Sequence, residues 1–247
     1  MRGAQQIYRF DGKNVFLELM NSMFDKDRLV MNFIEYDEAQ ASGNRQKNNL
    51  PFFIEFSDAL ILCNDILSGK LSKKGQDAQK NAKEKGYKYA PFIYQSLGGT
   101  SAERLAKMGK SRPDGKALSR QFKITPGEKF PWILSCEHGP GKEDESGLIS
   151  PDGKAEGFVR IPLTDDDFKK FAILIQTHIN NYITSTYVTG EALASYQDAN
   201  VMADYYVKKA ERMPISHNIQ KAKQSLYDVE DKTLKDALNK RIDALTK

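Results

Sequence analysis

The chain has 247 residues, 40% hydrophobic and 28% charged, a balance that fits a globular fold of one large domain or two small ones. It contains no run of 18 apolar residues, which excludes a membrane-spanning helix, and the opening MRGAQQIYRFDG lacks the apolar core of a signal peptide. The net charge is +4, yet residues 70–130 hold fifteen Lys and Arg against five Asp and Glu, so the remainder is acidic overall. Two isolated cysteines, Cys63 and Cys136, form no CxxC and read as small buried residues of a reducing, cytoplasmic compartment.

In chain order, IYRFDGKNVFLEL (7–19) reads as a pair of strands, and VMNFIEY (30–36) as a strand entering an acidic, glycine-containing loop. In NLPFFIEF (49–56) the apolar residues Phe52, Ile54 and Phe56 alternate, as on a strand. Ser57-Asp58 then reads as a helix cap before an apolar helix that ends at Gly69. Within the basic linker 70–89, SKKGQDAQKNAKEKG (72–86) is polar on every side, which predicts an exposed helix or a flexible linker.

A similar order follows. IYQSLGG (93–99), KALSRQFKI (116–124), WILSCEH (132–138) and the strand in EGFVRIPL (156–163) precede Thr164-Asp165, a second cap signal, and a helix whose Phe168, Phe171, Ile175 and Ile179 form one stripe. The expected architecture is α+β: a strand-strand-strand-strand-helix unit over 1–69, a basic linker over 70–89, a second such unit over 90–184 and a helical tail over 185–247. Packing the helices of the two units against each other would cover both sheets. In the tail, Leu193, Tyr196, Val201 and Tyr205 mark a helix over 190–212, and Ile219, Ala222 and Leu226 with Leu234, Leu238, Ile242 and Leu245 mark a helical hairpin over 216–246.

Enzyme chemistry finds little support. Two Gly-Lys pairs, Gly109-Lys110 and Gly115-Lys116, suggest a phosphate loop, but that motif needs glycines where Arg104 and Lys110 stand, and Ala117 replaces the required hydroxyl. His138, His178 and His217 show no metal-ligand spacing. Asp165, Asp166 and Asp167 suit the first turn of a helix, and Glu143, Asp144 and Glu145 suit a hairpin tip. No nucleophile motif is present. The expectation is a non-enzyme with no catalytic residue, metal or cofactor. A nuclease is the enzymatic alternative.

The stretch RPDGKALSRQFKI (112–124) places a turn before a basic strand. With the strand-and-helix order above, it resembles the Whirly-type single-stranded-DNA-binding fold, whose hallmark Lys-Gly-Lys-Ala-Ala-Leu is partly matched by Asp114-Gly115-Lys116-Ala117-Leu118. The same unit occurs singly in the transcriptional coactivator p15 family and in phage and mobile-element proteins. The resemblance implies a single strand running along sheet surfaces, with little sequence preference, during replication, recombination or transfer of DNA.

The implied phosphate contacts are Lys110, Arg112, Lys116, Arg120, Lys123 and Arg160, joined by Arg9 and Lys13 from the first unit. The implied stacking residues are Phe122, Trp132, Tyr8 and Tyr94. Core burial competes with stacking at Phe122, which shares a strand face with Leu118 and Ile124, and equally at Trp132. RNA is the alternative ligand, and self-association or a protein partner bound through the tail is the alternative role.

Overall fold

The computed structural model describes residues 6–41, 43–187 and 199–246; Leu193 and Tyr196 of the expected tail helix lie outside them. The fold is α+β and divides into two compact units, Met1–Ile179 and Asn180–Lys247. Among the described residues no helix is long and apolar enough to cross a membrane.

The first unit opens with β1 (Gln6–Gly12), β2 (Val15–Met20), β3 (Arg28–Tyr36) and β4 (Gln46–Glu55), an antiparallel meander in the order β1-β2-β3-β4, here sheet A. The β1–β2 turn is closed by Asn14 at φ 58°, a left-handed conformation that Asn tolerates better than most residues. Strand alternation sends Phe10, Leu17, Leu19, Met31, Phe33, Leu50, Phe52 and Ile54 to one face, where all are buried.

Helix α1 (Phe56–Leu67) starts directly at the end of β4. Ser57 lies inside its first turn instead of capping it. The N–H of Phe56 donates to the Asp27 carbonyl at 2.9 Å, so the turn before β3 does part of the work expected of a hydroxyl cap.

The basic segment is helix α2 (Lys70–Glu84), and it is not solvated on every side. It buries Leu71, Gly75 and Ala82, whose spacing places them on one face. A Cβ at Gly75 would lie 3.3 Å from the Trp132 ring, and Gln79 Nε2 donates to the Gly127 carbonyl at 2.9 Å. Beyond Leu71 the buried positions are the small residues Gly75 and Ala82, which carry almost no hydrophobic signal in the sequence.

Sheet B follows: β5 (Tyr94–Thr100), β6 (Ala117–Pro126), β7 (Trp132–Glu143), β8 (Ile149–Pro151) and β9 (Gly157–Leu163), in the order β5-β6-β7-β8 with β9 also paired to β7. The long β7 divides its partners, pairing β9 through Trp132–His138 and β8 through Gly141–Glu143. Asp144 organises the β7–β8 hairpin, accepting from the N–H groups of Ser146 and Leu148 at 2.9 and 3.0 Å. Short helix α3 (Ala102–Lys107) lies between β5 and β6. Helix α4 (Asp165–Thr186) is capped by Thr164, whose Oγ1 accepts from the Asp167 N–H at 3.1 Å and donates to its carboxylate at 2.9 Å.

The two sheets meet face to face. The Phe122 ring lies 5.9 Å from Phe33, 5.7 Å from Phe52 and 5.9 Å from Tyr94. Helix-to-helix cover alone was expected; α1 and α4 do approach where the Cys63 thiol reaches the Gln176 backbone, but the large aromatic side chains of the inner faces cover each other. Helix α4 adds Phe171 against Phe10 at 6.2 Å and Phe168 stacked on Trp132 at 4.4 Å. Cys63 and Cys136 are unpaired and buried, and burial pushes both thiols up to about 12.

The second unit contains α5 (Ala199–Arg212), α6 (Ser216–Ser225) and α7 (Lys232–Ala244) around a separate core of Ala203, Val207, Ala210, Ala222, Leu226, Val229, Leu238 and Ile242. Asp231 caps α7, and Arg241 ties α7 to α5 through Glu211 at 2.7 Å and Asp204 at 3.0 Å.

Candidate nucleic-acid interface

The faces of sheet B follow from its register. Phe122 stands opposite Ser96 and Cys136, and Cys136 stands opposite Val159, so this row faces sheet A with the core. The neighbouring row, Gln95, Lys123, Ser135 and Arg160, therefore faces outward, as does the row of Leu97, Gln121, Glu137 and Phe158. Beyond these rows Ala117 and Ser119 are buried on the outward side, although the pairing of β6 is unbroken. The cause is Ile149 of β8, which packs so closely over Gly99 and Gly141 that Cβ atoms there would meet it at 2.9 and 2.7 Å.

Four of the eight cations proposed from the sequence are already paired. Arg112 grips Glu156 with two hydrogen bonds at 2.7 and 2.8 Å and Asp114 with two more at 2.9 and 3.1 Å, leaving its side chain 12% exposed. This fork holds both carboxyls below their ordinary range and locks the Arg112–Gly115 turn onto the start of β9. Lys116 bonds to Asp152 at 2.6 Å, Lys123 to Glu137 at 2.9 Å and Arg9 to Asp11 at 2.6 Å, with the Arg9 guanidinium also 3.7 Å above the Phe16 ring. Three cations of the basic segment, Arg112, Lys116 and Lys123, thus meet acids from residues 137–156.

The proposed stacking residues divide by burial. Phe122 and Trp132 are core residues, at 0% and 5% exposure; the Trp132 indole N–H donates to Asp165 at 2.7 Å. Tyr94 is partly covered and leans edge-on against Phe122; burial first, then the nearby Asp58 carboxylate, pushes its hydroxyl up to about 12. Tyr8 packs on Phe10 at 4.8 Å with the Lys170 ammonium 5.6 Å over its ring. Lys13 and Lys110 are exposed beside the β1–β2 turn and after α3. Arg120 lies on the inner side, partly buried.

What the fold does assemble is an outward patch on sheet B. Arg160 is exposed and, among the described residues, has no carboxylate within ion-pair distance. Phe158, two residues earlier on the same face of β9, is 46% exposed. Across the sheet, Gln95 Nε2 donates to Gln121 Oε1 at 2.7 Å, and the Lys123 ammonium lies 5.5 Å over the ring of Phe92, itself 47% exposed. Just before β5, Tyr87 and Tyr89 are 63% and 69% exposed, with Lys88 5.2 Å over the Tyr89 ring.

Phe158, Phe92, Tyr87 and Tyr89 were not among the sequence-derived candidates. Signals for them exist: Phe158 has the parity opposite to buried Val159 and Ile161, and YKYAPF alternates aromatic and basic residues after Gly86. Exposed rings beside a free guanidinium and paired amides can stack bases, hold a phosphate and accept hydrogen bonds from base edges. Compared with family models, with curated proteins and with solved structures, the chain finds no match.

Proposed function

We propose that the chain binds single-stranded DNA, with little sequence preference, across the outward face of sheet B. The observation that carries this reading is the placement of Phe158 and Arg160 side by side on one exposed face of β9, a stacking ring next to a cation with no ion-pair partner among the described residues. Lys123, Phe92 and the Tyr87-Lys88-Tyr89 segment extend the same aromatic-and-basic chemistry. The four strands of sheet A followed by α1 match the order that the Whirly-type resemblance expects, whereas the second strand-and-helix unit adds β8 and α3; by that resemblance the role lies in replication, recombination or transfer of DNA. Binding of this kind is sequence-tolerant because every base offers a π-face and every nucleotide a phosphate.

The test is fluorescence anisotropy of the full chain with a labelled oligothymidine of about 30 nucleotides, an oligouridine of the same length and a duplex, across a salt series. The reading expects the DNA strand to bind more tightly than the duplex, with affinity falling as salt rises. A stronger oligouridine complex would move the assignment to RNA, which requires contacts to the 2′-hydroxyl. Equal and weak binding to all three would overturn it.

A further inference from the structure

A second feature lies on the opposite face of sheet B. Arg120 and His138 are cross-strand partners, flanked in the same row by Gly98 on β5 and Gly157 on β9. At each glycine the missing side chain lets a neighbouring ring approach the backbone. A Cβ at Gly157 would meet His138 Nε2 at 2.7 Å, so the imidazole lies directly over that backbone, and one at Gly98 would touch the Phe52 ring at 3.5 Å. The row is therefore bordered by the Phe52 ring at its β5 end and by the His138 ring at its β9 end, with Arg120 between them.

Arg120 is poorly satisfied there. One Nη donates to Thr100 Oγ1 at 3.2 Å, while Nε is enclosed and, among the described residues, has no partner. Among the described residues no carboxylate lies within ion-pair distance of it, whereas Arg112, Lys116 and Lys123 nearby each hold one at 2.9 Å or less. Burial accordingly holds the guanidinium below its ordinary value, and burial followed by the Arg120 charge does the same to the His138 imidazole. A desolvated guanidinium without a counter-charge destabilises the protein that carries it. Chemistry that relieves it needs an anion able to accept from a planar fork and from a hydroxyl or imidazole at once, which describes a tetrahedral oxyanion.

We infer that Arg120, His138 and Thr100 form a binding site for a phosphate group. The site is separate from the outward patch of sheet B and does not rest on it. Its occupant is a phosphate with free oxygens, supplied either as inorganic phosphate or as the 5′-terminal phosphate of a strand.

The experiment is thermal unfolding of the full chain in inorganic phosphate against potassium chloride of matched ionic strength, for the wild type and Arg120→Met. Wild type is expected to gain several degrees in Tm, saturably with phosphate. Arg120→Met is expected to gain nothing from phosphate and to melt above the wild type without it, because a buried unpaired charge has been removed. Equal phosphate gains in the two proteins, or no gain in wild type beyond the chloride control, would overturn the site for free phosphate. Should Arg120→Met fail to fold, Thr100→Val and His138→Gln carry the same test, each expected to shrink the phosphate-dependent shift.

The second arm measures binding of oligothymidine with a 5′-phosphate or a 5′-hydroxyl. A preference for the phosphorylated end that disappears in the Arg120 variant assigns the strand terminus. A response to inorganic phosphate alone assigns the free ion. Absence of both refutes the site. Loss of all strand binding with the phosphate shift intact would remove the proposed function and leave this site standing.

Discussion

Replacing Phe158 by Ala separates binding from folding, and its counterpart on the other face of the same sheet is Phe122→Ala. Phe158 is 46% exposed, so about half of its side chain contributes to packing. Full burial of a Phe is worth about 1.5–3 kcal/mol, so the loss at Phe158 is about 1 kcal/mol of stability. Phe122 is fully buried and touches Phe33, Phe52 and Tyr94, so truncating it should cost about 3–5 kcal/mol. The effects on binding should run the other way. Loss of one base-stacking ring costs about 1–3 kcal/mol, or a Kd raised about 5- to 150-fold, and should appear only in Phe158→Ala. Urea denaturation gives the first quantity and anisotropy with oligothymidine the second. If Phe158→Ala binds as tightly as wild type, the outward face is not the binding surface; if folded Phe122→Ala loses the affinity instead, the strand lies between the sheets.

Three further outcomes follow from the packing. Trp132→Phe keeps the stacking on Phe168 but loses the indole bond to Asp165, so stability should fall by about 1–3 kcal/mol while strand affinity stays unchanged; a large affinity loss would return Trp132 to the binding surface. Gly75→Leu drives a side chain into the Trp132 ring, and overpacking of this kind costs about 1–3 kcal/mol; an unchanged Tm would show that α2 does not depend on that contact. His138 and His178 both have pKa values lowered by burial, so the unfolded chain takes up these protons first. Their contribution is fully present above their unfolded pKa of about 6.5 and is lost as pH falls through the lower folded values, so denaturation midpoints should drop between pH 7.5 and 5.5; a flat profile would contradict the burial.

Strand β9 was legible because Val159 and Ile161 flank the charged Arg160, and β4 because Phe52 and Ile54 share the parity of one strand face, a parity that Phe56 continues although it opens α1. The start of α1 was not, because the Phe56 N–H finds its acceptor at Asp27, 29 residues upstream and invisible to any local rule. The docking of α2 was hidden for a different reason: after Leu71 its buried positions are Gly75 and Ala82, which permit close approach but offer little apolar bulk. Charge was the hardest signal to interpret. The basic run promised a patch, but Glu156, Asp152 and Glu137 return to it through tertiary structure, and sequence clustering says nothing of where counter-charges will lie. Arg160, outside that run, has no carboxylate within ion-pair distance among the described residues.

The connection through α2 bears on cooperativity. It leaves α1, the helix of the first sheet, by a single turn at Ser68-Gly69 and docks on Trp132 and Gly127 of the second sheet. A flexible tether would let one half melt while the other persisted; a docked helix makes separation cost its own burial as well. The two sheets should therefore unfold in one transition. Trp132 is the only tryptophan in the chain and sits at this junction, so its emission should change together with the far-ultraviolet signal of the strands.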